Sequence, residues 1–136
     1  MRNLTLLTLL AWLWGACAHQ PAGPTSVSNL PLLLQSWTHS FEEETPGEDT
    51  QVFRPSDFKP FPVTRFRMQY VFRADGTCEW LVLDPADAHY MTRGSWKLAP
   101  ASEVWIYDAR GQRVKSVSFQ IVQLEANRLR IRRLYE

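Results

Sequence analysis

The side chains of this chain that could carry chemistry are few and far apart. His39, Glu43 and His89 offer the nitrogen and oxygen donors that zinc takes. Glu42, Glu43, Glu44 and Asp49 offer carboxylates to calcium, but their spacing is not that of a calcium loop. There is no His-x-x-x-His pair, no Gly-x-Ser-x-Gly elbow and no glycine-rich phosphate loop. His89 alternates with Tyr90, the first of a face that also holds Trp96, so it points out of the core. The reading is of a chain that is not an enzyme, with no catalytic residue, no metal ligand and no cofactor. Two thiols remain. Cys78 reads as a small buried core side chain. A Cys17–Cys78 disulfide, formed in an oxidising compartment, is the alternative.

Cys17 closes a segment of a different kind. Arg2 supplies a positive charge, and Leu4 to Trp14 is almost wholly apolar yet too short to span a bilayer in the ordinary way. The run ends Leu13-Trp14-Gly15-Ala16-Cys17. Small residues before a cysteine resemble the bacterial lipobox. That resemblance implies that residues 1–16 are a lipoprotein signal peptide and that Cys17 carries lipid on its thiol and on its new amino terminus. The partner is then the membrane, reached through acyl chains (palmitate and its like) that contribute about 0.8 kcal/mol per buried methylene. The alternative is an ordinary secretory signal cut near Ala18. Ala18, in place of an aspartate, resembles an outer-membrane address, so the expected location is the bacterial cell envelope. Residues 17–29 are rich in Pro, Gly, Ser and Thr and read as the lipidated cysteine with a flexible tether.

Lys and Arg exceed Asp and Glu by 15 to 14, and the excess is Arg2 in the targeting segment. The domain that remains, residues 30–136, is balanced and shows no nucleic-acid signal.

Its clearest element is the strand around Phe66, Met68, Tyr70 and Phe72, which alternate with Arg65, Arg67, Gln69 and Arg73. A three-residue Ala74-Asp75-Gly76 loop, with Gly76 left-handed, sets Phe72 opposite Cys78 and Tyr70 opposite Trp80. That register gathers the aromatics on one face; a slip of one residue scatters them. Upstream, Leu30 to Leu34 reads as a short helical turn capping one end. A first strand follows, with Trp37 and Phe41 inward and His39 and Glu43 toward the interior or its rim; the alternative is that Glu43 is already past the rim, in solvent. Pro46 to Val63 contains four prolines and reads as one long connection, whose Phe53, Phe58 and Phe61 either plug the fold or close over a ligand. Downstream, Tyr90, Thr92, Trp96 and Leu98 share a face, with Gly94 at a bulge or bend. Val104 to Tyr107 is continuously apolar. Val117, Phe119 and Ile121 form another face, and Leu129 and Ile131 alternate with Arg128, Arg130 and Arg132.

Short strands between regular turns predict an all-β fold, a small antiparallel up-and-down barrel. Closure is expected by pairing the first strand with the last, Glu42 and Glu44 lying across from Arg128, Arg130 and Arg132. The order Trp37, then Phe72-x-x-Asp75-Gly76-Thr77, then Gly94-Ser95-Trp96-Lys97-Leu98, then Phe119-x-Ile121-x-x-Leu124 and Leu129-x-Ile131 resembles the lipocalin-like domains of bacterial lipoproteins. In lipocalins an arginine of the last strand packs over the first-strand tryptophan, which assigns Arg128 or Arg130 to Trp37. The resemblance implies a barrel that holds a small apolar ligand in its interior or at its mouth, lined by Trp37, Phe53, Phe58, Phe61, Tyr70, Trp80 and Trp96. The alternative is a structural or protein-interaction lipoprotein with a filled core and no ligand, since the same residues fill a solid barrel equally well.

Overall fold

The computed structural model describes residues 27–86, 88–109 and 115–135. The expected signal peptide, Cys17 and the expected tether up to residue 26 lie outside the described residues. Eight strands form a closed antiparallel barrel: β1 (Ser36–His39), β2 (Thr50–Pro55), β3 (Gln69–Phe72), β4 (Thr77–Leu83), β5 (His89–Ala99), β6 (Glu103–Asp108), β7 (Lys115–Glu125) and β8 (Arg128–Arg133). A 3-10 turn, Val27–Leu33, precedes β1 and sets Leu33 into the core.

The β3–β4 hairpin has the expected register. Phe72 faces Cys78, Tyr70 faces Trp80, and Gly76 has φ +82°. Strands β3 to β8 follow as an up-and-down meander in which every neighbour is the next in sequence. Val104 and Ile106 resolve the ambiguous apolar strand by pointing inward, leaving Trp105 and Tyr107 outside. On β7 the partner shifts between Ile121 and Gln123, an inserted residue that returns Leu124 to the inner face opposite Leu129.

Three expectations are corrected. The first strand ends at His39, because the chain turns away in a short 3-10 segment at Phe41–Glu43. The proline-rich stretch from Pro46 to Val63 is not one connection, because β2 lies inside it. The barrel closes between β2 and β8, with Val52 opposite Arg130 and Phe53 opposite Leu129, while β1 sits between β2 and β3. The expected charge complement across the closing strands exists with different acids. Arg130 pairs with Glu48, and Arg132 pairs with Asp49 at 2.7 Å.

Placing β1 between two strands that run the same way forces a crossover. Residues 56–68 make it as a strap across the outer face of β1. Ser56 Oγ bonds the outward Ser36 and Thr38 hydroxyls at 2.7 and 2.8 Å, so Thr38 is buried although it faces out. Charge holds the strap down. Glu43 takes Arg54 at 2.6 Å, Lys59 at 3.1 Å and the Ser40 hydroxyl at 2.7 Å. Arg67 pairs with Glu42 and donates to the His39 and Pro62 carbonyls at 2.7 and 2.9 Å. Phe58 lies under the Arg54 guanidinium at 4.6 Å, and Phe41 lies under that of Arg67 at 4.4 Å.

These ion pairs are half-buried and multiply bonded, which makes them worth more than a lone surface pair. Glu43→Ala is expected to lower stability by about 1–3 kcal/mol, because it leaves Arg54 without its main acceptor. The Arg67 guanidinium holds Glu42 well below its ordinary value of 4.5, at about 2, and Arg54 lowers Glu43 likewise. Depressed carboxylate values contribute stability that is fully present above about pH 4.5 and is lost as pH falls toward 2. Melting temperatures read between pH 6 and 2 check both statements: the acid-side decline should be shallower in Glu42→Gln/Glu43→Gln.

Candidate functional site

The interior of the barrel is where the sequence places a ligand. Trp37, Phe53 and Tyr70 have no exposed surface and Trp80 has 5%. Tyr70 is central. Its ring lies 5.5 Å from Phe53, 5.9 Å from Phe72 and 5.5 Å from Phe119, centre to centre. Trp37 stands between Tyr70 and Pro55 in the ladder, and its indole N–H donates to the Leu33 carbonyl at 3.0 Å. Trp80 reaches over Gly94, whose missing side chain leaves the room. Trp96 is half-buried at the edge of this core, edge-on to Phe72 at 5.3 Å, and donates to the Arg73 carbonyl.

The remaining two proposed ligand residues lie on the other side of the sheet. Phe58 is on the strap under Arg54, and Phe61 is flanked by Lys59 and Arg67 at 5.6 and 5.3 Å. The fold therefore brings Trp37, Phe53, Tyr70 and Trp80 together, with Trp96 at their margin, and separates Phe58 and Phe61 from them. Those brought together pack on one another rather than around a space.

The residues singled out as metal ligands also part company. His39 faces inward, stacked on Phe53 at 4.9 Å, with its Nε2 and a Glu44 carboxylate oxygen hydrogen-bonded at 2.6 Å. Glu43 belongs to the outer strap. His89 is exposed and meets Phe66 edge-on. Cys78 is a free buried thiol that burial pushes up to about 12, so it stays protonated at neutral pH.

Concave surface is found at the ends of the strands. A cavity of about 550 Å³ lies beside Cys78 and Gly94; Glu79 on its wall is shared by Arg73 at 3.2 Å and Arg93 at 2.8 Å. Two others lie where β8 ends: one of about 490 Å³ bordered by Glu48, Asp49 and Arg132, and one of about 240 Å³ bordered by Lys115, Ser116 and Ser118. Arg133 borders both. It follows Leu129 and Ile131 on the inner face, opposite Phe119, and donates to the buried Tyr70 hydroxyl at 3.3 Å. Burial pushes that phenol up to about 12, against the pull of the cation.

The last-strand arginine that enters the barrel is thus Arg133. Arg128 and Arg130, proposed from the lipocalin pattern, alternate to the outside, and Arg130 bonds Glu48 and Thr50. Parity with Leu129 and Ile131 was the signal in the sequence that marked Arg133 as inward.

Neither a family model, nor a curated protein, nor a solved structure matches this chain. The architecture stands by itself as an eight-stranded antiparallel barrel compatible with a lipocalin-like one.

Proposed function

We propose that this chain is a lipid-anchored protein of the bacterial cell envelope. Its barrel serves as a solid scaffold that presents an outer surface to a partner and does not carry an apolar ligand inside. The observation that supports this reading is the filled interior. Trp37, Phe53 and Tyr70, expected on sequence grounds to line a ligand, have no exposed surface, and Tyr70 meets three aromatic rings. A carrier barrel needs an open space among those rings.

The anchor rests on the sequence Leu13-Trp14-Gly15-Ala16-Cys17, with the outer membrane as the address suggested by Ala18. Acylation at Cys17 would hold the domain at the membrane surface through the tether, and no enzymatic role is assigned to it. The test joins two measurements. Fatty-acid metabolic labelling should mark the natural protein and leave Cys17→Ala unlabelled and differently processed. A neutral apolar fluorophore titrated into the purified protein should show no saturable signal that excess of an unlabelled neutral apolar compound displaces. Absence of label on the natural protein removes the anchor. Saturable, displaceable binding that Tyr70→Ala abolishes reverses the choice in favour of a carrier.

A further inference from the structure

The inward arginine at the end of β8 carries the inference furthest. Among the described residues, Arg54, Arg67, Arg73, Arg93, Arg130 and Arg132 each have a carboxylate within ion-pair distance. Arg133 has none. Arg128 also lacks one, but it stands across the ladder from Glu125 on the outer face. Arg133 is half-buried, its one side-chain hydrogen bond among the described residues goes to a neutral phenol, and its Nε, like those of Arg128 and Arg130, is buried with no partner. A half-buried guanidinium held only by a neutral hydroxyl keeps N–H donors to spare for an anion.

The surroundings say where a counter-charge would come from. On one side, Glu48 and Asp49 are engaged by Arg130 and Arg132, and Glu44 by His39 and the Val52 N–H. On the other side, the cavity of about 240 Å³ is bordered by Lys115, Ser116 and Ser118 and by no carboxylate among its described lining residues. It is large enough for a small oxyanion.

We propose that this end of the barrel binds a small oxyanion, a carboxylate or a phosphate, on the guanidinium of Arg133 from the Lys115–Ser118 side. A planar guanidinium pairs two parallel N–H donors with two oxyanion oxygens. The site lies at the β8 end of the barrel and meets the apolar interior at the Tyr70 hydroxyl.

Full-length protein in detergent, titrated calorimetrically at constant ionic strength with inorganic phosphate and separately with acetate, tests it. Saturable binding of at least one probe is expected. Arg133→Gln should weaken it by about tenfold or more, and Arg132→Gln, which disturbs only an outer ion pair, should leave it within about twofold. The probe that binds tells a phosphate site from a carboxylate site. Where Arg133→Gln does not fold, Arg133→Lys decides, since it keeps the charge and loses the fork: weakened binding supports the proposal and unchanged binding overturns it. No saturable heat with either probe, or equal affinity in the Arg133 variants and the natural protein, also overturns it.

Discussion

Trp37→Ala is expected to lower the stability of the barrel by about 3–5 kcal/mol, the range for deleting a fully buried tryptophan. The site offers little relief by collapse. Trp37 lies between Pro55 on β2 and Tyr70 on β3, both on strands fixed by their own ladders. The indole N–H also donates to the Leu33 carbonyl at 3.0 Å; that carbonyl keeps the Gln35 N–H at 2.8 Å when the ring is removed, so the void is the main cost. Trp37→Phe keeps most of the volume and loses that hydrogen bond, and should cost about 1–2 kcal/mol. Urea melts of the three proteins give the comparison. A loss under about 1 kcal/mol for Trp37→Ala would mean that the first strand does not pack as described.

Gly94→Ala should be at least as damaging, by the opposite mechanism. A Cβ on Gly94 would stand 1.9 Å from the Tyr107 carbonyl oxygen and 3.1 Å from the end of the Trp80 ring. The first contact is with backbone, which no rotamer change relieves. Overpacking of a close-packed site costs about 1–3 kcal/mol where side chains can shift, and more where they cannot. The expected loss is therefore about 3 kcal/mol or more, and the yield of folded protein should fall with it. Gly47→Ala is the control that isolates the cause. Gly47 has φ +89° but open space around its Cβ position, so it pays only conformational strain of about 1 kcal/mol. Equal melting temperatures for the two variants would rule out close approach as the reason for glycine at position 94.

The same glycine shows what a sequence can and cannot say. Its place in a strand marked an irregularity, and a bulge or bend was the natural expectation. Pairing runs unbroken through it on both sides, to Cys78 and to Asp108, and the irregularity is a close passage of backbones instead. The β3–β4 register was legible because only one alignment keeps Phe72, Tyr70, Trp80 and Cys78 together. β2 was not, because burial on both faces erases alternation. Phe53 points into the core, yet its neighbour Val52, facing out, is 2% exposed. With prolines at 46, 55, 60 and 62 around it, the stretch read as loop. The aromatic face was legible as a face. Whether it encloses a cavity was not, because interior space depends on how strands tilt and stagger, and residue types do not encode that locally. Arg133 was hidden among the arginines of its strand until parity was followed two residues beyond Ile131.

The position of β1 also sets an order of events. β1 and β2 adjoin in sequence, but the partner that covers the other edge of β2 is the last strand; Arg130 and the Glu48 it binds are 82 residues apart. A chain emerging from its amino-terminal side therefore carries β2 with one open edge until nearly its final residues arrive. Contacts of such long range slow folding, and an unpaired strand is open to pairing with another chain in the meantime. Deleting Arg128–Arg133 would leave the barrel unsealed, as a sticky intermediate.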